Sequence, residues 1–108
     1  MARRPLYRGQ PGVTSGAAYT STSTYTTITA ATVTNTTATA ATLSVWRVAS
    51  GGAAAGTNQI YNALSVAAGA TVGLSGLVPK TMGKDEELHM LQGTSGALTV
   101  DIDGDLHS

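Results

Sequence analysis

The residues best suited to chemistry lie at Asp101-Ile102-Asp103-Gly104-Asp105, which sets three carboxylates two positions apart. On a strand that spacing puts them on one face, and converging carboxylates bind hard cations. An EF-hand calcium loop needs Gly at its sixth position and a bidentate Glu at its twelfth. Here Gly is fourth, so the segment reads as the solvated end of an acidic strand. His89 and His107 stand alone, without the His-x-x-x-His or cysteine spacing of a zinc site. Thr14-Ser15-Gly16 and Thr94-Ser95-Gly96 do not complete the G-x-S-x-G of a nucleophile elbow. No His and carboxylate accompany them as a triad would require. The glycine-rich stretch at 51–56 lacks the Lys-Ser/Thr of a phosphate loop. Asn35-Thr36-Thr37 matches a glycosylation sequon, which means little without a secretory signal. Trp46 beside Arg47 offers a stacking platform, although a Trp at the end of a core strand is more often buried. The expectation is a protein that is not an enzyme and uses no metal or cofactor.

Composition narrows the classes further. The 108 residues fit one domain. Their zero formal net charge lacks the footprint of a nucleic-acid binder, and no apolar run is long enough for a membrane-spanning helix. MARRPLYRGQPG has arginines without an apolar segment behind them, so it does not read as a secretory signal. The absence of cysteine excludes disulfides and points toward an intracellular origin. The 42% hydrophobic content is inflated by 17 alanines, against 20 Leu, Ile and Val and no Phe. A thin core of small side chains follows, and with it an expectation that neighbouring subunits supply part of the stability.

The elements that must position these residues read as strands. Leu98, Val100 and Ile102 alternate with Thr99, Asp101 and Asp103, the clearest strand pattern in the chain. Leu43 to Val48 reads as a strand buried at its end, and 50–57 as a small-residue loop. Asn58 to Val66, a turn at 67–69, and Ala70 to Leu74 continue the series. The segment from Thr20 to Val45 holds 12 threonines among 26 residues and no charge. It lacks the proline of a mucin-like stalk, and threonine is β-branched and favours strands. It reads as a hairpin, with strands near 24–34 and 39–49 around a turn at 35–38. A second hairpin is expected from 87–92 to 97–103 through Gly93-Thr94-Ser95-Gly96. The fold class is therefore all-β, a single small β-sandwich of six to eight short antiparallel strands over residues 17–108.

Residues 1–16 read differently. They hold Arg3, Arg4 and Arg8, half of the basic residues, with Pro5, Pro11 and several glycines, while all six acidic residues lie at or beyond Asp85. This is the composition of an extended basic arm. Arg3, Arg4 and Arg8 would meet an acidic partner surface, and Leu6 and Tyr7 would anchor the arm by burial. Thr-x-Thr spacing also suggests ice-binding arrays as a minor alternative, but no solenoid period accompanies it. Carbohydrate binding would call on aromatic platforms, and the chain has four Tyr and one Trp.

The runs VTNTTATAATLSVWRVASGG (33–52), ALSVAAGATVGLSGLV (63–78) and GALTVDIDGDL (96–106), together with the opening LYRGQPG, resemble a class of small tailed-phage virion proteins. The chain departs from that class at Met82–Leu88, where two extra acids imply a longer or a helical loop. The resemblance implies a jelly-roll-like sandwich that serves as a structural part of the particle. The expected function is a capsid decoration, or cement, protein in the virion. It would be assembled as a homo-oligomer and contact the major capsid or other virion proteins, with no membrane and no specific nucleic acid as partners. A neck or tail adaptor, or a fibre-base ring, is the alternative location.

Overall fold

The chain's strands pair as a nested antiparallel ribbon folded over on itself. The structure, a computed structural model, describes residues 2–14, 16–22, 25–49, 51–78 and 80–107, and the side chains of all of these except 2–4 and 107. Nine strands lie among the described residues: β1 (Ala2–Gly9), β2 (Gly16–Thr20), β3 (Tyr25–Asn35), β4 (Ala41–Val48), β5 (Gln59–Val66), β6 (Thr71–Gly73), β7 (Thr81–Gly83), β8 (Glu87–Gln92) and β9 (Leu98–His107). A 3-10 turn at Gly56–Asn58 precedes β5. From the inside outward, β4 pairs with β5, β3 with β6 and β7, β2 with β8, and β1 with β9. The folded ribbon is closed by β9 pairing with β3 and β8 with β4. The result is two antiparallel sheets, β1-β9-β3-β6 with β7 also on β3, and β2-β8-β4-β5. This is a β-sandwich with the strand order of a jelly roll. The strand count exceeds the expected range because one flank of β3 is shared by two three-residue strands, β6 and β7.

Each sheet turns one face inward. Leu88 and Met90 of β8, and Leu98, Val100 and Ile102 of β9, are buried at alternate positions. They meet Leu43 and Val45 of β4, Val33 of β3, and Leu74 and Leu77 from the turn between β6 and β7. Ala31 and Ala41 are also in this core, where their small side chains let the sheets approach. β3 shows why its sequence alternates poorly. Its register against β9 shifts between Ile28 and Ala30. Buried positions therefore run Thr26, Ile28, then Ala31, Val33, Asn35. A bulge adds one residue and inverts the phase that follows.

Both expected hairpins are corrected by the pairing. The strand bounds agree closely, but β3 and β4 belong to opposite sheets, as do β8 and β9. Residues 36–40 and 93–97 cross the sandwich instead of turning back within one sheet. Each crossing begins with a buried carboxamide. Asn35 Nδ2 donates to Thr39 O (2.8 Å) and Val66 O (3.0 Å), and Asn35 Oδ1 accepts from Thr37 N (2.9 Å) and Thr37 Oγ1 (2.7 Å). The sequon asparagine is thus fully engaged inside the corner. Gln92 Oε1 accepts from Ala97 N (3.1 Å) and Leu98 N (2.8 Å), and Gln92 Nε2 donates to Pro11 O. The two corners touch, with Thr36 N donating to Ala97 O at 2.9 Å. Buried backbone groups at a sharp corner need such partners, because each unmet group costs about 1–3 kcal/mol.

Residues 2–9, most of the segment read as an arm, run extended as an edge strand of this chain's own sheet. Gln10 Nε2 donates to Gly96 O (3.0 Å) and Gln92 N to Gly12 O (2.9 Å), which fixes the following segment to the body as well.

Candidate functional site

The outer face of the β1-β9-β3-β6 sheet has two halves of different character. On β9, Asp101, Asp103 and Asp105 point outward, as their spacing requires. The antiparallel register sets Arg8 opposite Asp101 and Arg3 opposite Asp105. Arg8 Nε donates to Asp101 Oδ1 at 3.2 Å, and Arg8 Nη2 lies 3.7 Å from Asp103 Oδ1. The Arg8, Asp101 and Asp103 side chains are 63%, 52% and 36% exposed. Screened pairs of this kind contribute about 0–1 kcal/mol each, so their main effect is to favour one register of β1 on β9. Asp103 Oδ1 is itself covered and makes no hydrogen bond, since 3.7 Å is too long for one. The Arg3 and Arg4 side chains lie outside the described residues. The charge asymmetry visible along the sequence therefore includes one internal match, in which Arg8 meets this chain's own acidic strand.

Leu6 and Tyr7 are half-buried and pack against the core of their own sandwich. The register of β1 shifts between Pro5 and Tyr7, so Leu6 is a bulged residue. It sits over Gly104, where an added Cβ would lie 2.8 Å from Leu6 Cδ1 and 2.6 Å from Thr27 O. Gly104 is thus the notch at which β9 meets the bulges of both flanking strands. The glycine of the Asp-Ile-Asp-Gly-Asp motif serves close strand approach and no loop. Tyr7 also lines an open cleft of about 260 Å³ between β1 and β2, with Pro11, Gly12 and Met90 among its neighbours. Burial pushes the Tyr7 hydroxyl pKa above its ordinary value of 10.0.

The other half of this face, on β3 and β6, is uncharged. Thr27, Thr32 and Thr34 face outward from β3, and Thr71 and Gly73 from β6. Thr34 Oγ1 and Thr71 Oγ1 share a hydrogen bond at 2.9 Å across the two strands, a cross-strand pair of the kind that stiffens a sheet face. Tyr25, 42% exposed, stands at the end of β3.

The second sheet carries the remaining aromatic groups and His89. Trp46 lies in register between His89 of β8 and Gln59 of β5. It is buried yet outside the core cluster, so it offers no open stacking platform. His89 Nε2 lies 2.8 Å from Glu87 Oε1. Arg47 Nη1 donates to Thr81 O (3.3 Å). Arg47 and Lys80 flank a second open cleft of about 260 Å³ with residues 57–60. Among the described residues no three His, Asp or Glu side chains converge on a point that would hold a metal ion, and no helix is long and apolar enough to cross a membrane.

Sequence reasoning missed Asn35 and Gln92 as the corner residues. A signal was present, because each falls on the inward phase of its strand, where Leu or Val would otherwise stand. The chain matches no protein-family model, no curated protein and no solved structure.

Proposed function

We propose that this chain is a non-enzymatic structural protein of a tailed-phage particle, a capsid decoration protein that acts by being packed against neighbours. The observation that carries the reading is the uncharged outer half-face of Thr27, Thr32, Thr34 and Thr71 beside an ion-paired rim. A charge-free β face can be covered by another protein without stranding a buried charge. The jelly-roll strand order suits the reading, since that architecture recurs in viral shell domains, although lectin domains share it. The mechanism is linkage. A protein that binds only the assembled shell stabilises it by RT ln(1 + [L]/Kd), about 2.7 kcal/mol per site at a hundredfold excess over Kd.

With Arg8 engaged on its own β9, the contact with the shell falls to the threonine face, and β9 with β1 beyond it forms its rim. Quantitative mass spectrometry of the native particle tests the location. Hundreds of copies per particle support decoration; a dozen or fewer sink it in favour of a neck or tail ring. Thr32→Glu places a charge in the middle of the face and is expected to lower particle binding at least tenfold, whereas Ser65→Lys on the opposite sheet is expected to leave it unchanged.

A further inference from the structure

The two sheets end in four edges, and three of them are guarded. β1 carries Arg3, Arg4, Pro5 and Arg8 along its length and a bulge at Leu6. The β6/β7 edge is broken into two three-residue strands by the 74–80 turn, with Lys80 at the break. β5 is interrupted at Ala63, whose φ of +52° bends the strand and whose N–H turns inward to Ser44 Oγ at 3.0 Å. Charge, proline, shortness and bulges are the devices that keep sheet edges from pairing with other chains. β2, the fourth edge, is five residues long with a single register shift between Ala17 and Tyr19, but it carries neither charge nor proline. Its residues Gly16-Ala17-Ala18-Tyr19-Thr20 are small, uncharged and largely exposed. Val13, 54% exposed, stands just before it in the chain, and Gly16, Ala17 and Ala18 line the cleft that Tyr7 also lines.

We propose that the β2 edge is the surface on which a second copy of this chain adds, antiparallel, joining two four-stranded sheets into one of eight strands. Charge permits this occupant at β2 and opposes the same pairing at β1. The chain carries no charged residue from position 9 to position 46, so two-fold pairing of β2 brings no like charges together. The same pairing of β1 would set arginines against arginines. Size complements charge, because antiparallel copies bring Gly16 and Ala17 of one toward Tyr19 and Thr20 of the other. A two-fold axis makes the contact isologous and closed, which yields a dimer and no fibre. The inference stands apart from the particle reading, because it concerns the purified chain alone.

Sedimentation velocity on the purified protein across a thousandfold concentration range, with hydrogen exchange at both ends of the range, tests it. The expected result is a monomer–dimer equilibrium in which amide protection at 16–20 rises with concentration. Ala17→Lys weakens dimerisation at least tenfold, and Ser65→Lys on the β5 edge leaves it unchanged. A wild-type chain that stays monomeric throughout overturns the proposal. So does a dimer whose 16–20 amides gain no protection, a reading that requires no variant to fold.

Discussion

Gly104→Ala separates two accounts of one short motif. Read as a loop, the glycine of Asp-Gly-Asp is replaceable. Alanine then gains about 0.4–1 kcal/mol of stability by restricting the unfolded chain. In the folded strand the added methyl lies 2.6 Å from Thr27 O and 2.8 Å from Leu6 Cδ1. Leu6 can shift, but the carbonyl belongs to the central strand β3 and moves only if the β3–β9 ladder opens. Overpacking of this kind costs about 1–3 kcal/mol, so the net expectation is a loss of about 1–2 kcal/mol. For a domain near this size that lowers Tm by about 5–10 °C. Urea denaturation measures the change directly, and a Leu6→Ala background divides it. Removing Leu6 is expected to recover about 0.5–1 kcal/mol of the loss, seen as coupling in the double-mutant cycle. A Gly104→Ala protein as stable as wild type, or more so, refutes the strand-notch reasoning by its sign. Zero coupling with Leu6 removes the β1 bulge from it.

Three further outcomes follow from the same geometry. Gln92→Met, close in shape but without the amide, leaves Leu98 N–H and the Pro11 carbonyl without the partners they have now; a loss of about 2–4 kcal/mol is expected in denaturant melts, with faster hydrogen exchange in residues 2–12. Ala63→Gly relieves a left-handed backbone at φ +52°, and thermal melts are expected to show a gain of about 0.5–1 kcal/mol. The raised pKa of Tyr7 in the folded state means that the protonated phenol is favoured by folding. Its contribution is fully present below the unfolded value near 10 and is lost as pH rises through the folded value. Tyr7→Phe is therefore expected to flatten the decline of stability above pH 10, and an unchanged slope counts against Tyr7 as its source.

The strands themselves were legible because their causes are local. β-branched threonine, the alternation of Leu98, Val100 and Ile102, and glycine-rich breaks mark where the chain extends and where it stops. Of the residues expected to bind a partner, the sequence showed their chemistry and not where in this chain they pack. Leu6 and Tyr7 are among the residues a reader would choose as buried anchors, and Arg8 as the partner of a carboxylate. That the carboxylates of Arg8 are Asp101 and Asp103 of the same chain depends on a register spanning 93 residues of sequence, which no local pattern encodes.

The sequence by itself determined an all-β chain, and it set which side chains of β9 face inward; the core it was expected to build from small side chains is instead mostly Leu, Ile, Val and Met, with Ala31, Ala41 and Ala97 among them. Tertiary structure decided which strands are neighbours. A hairpin and a crossing between sheets have the same flanking strands and the same polar connection. They differ in where the free strand edges find partners, and that is settled only when β9 takes the edge of β3 and β8 takes the edge of β4. The bulges opposite Gly104 were decided in the same way. The phase shift depends on the register with β9, whose Gly104 leaves room there for Leu6 and the Thr27 carbonyl and lies more than seventy positions away in the chain.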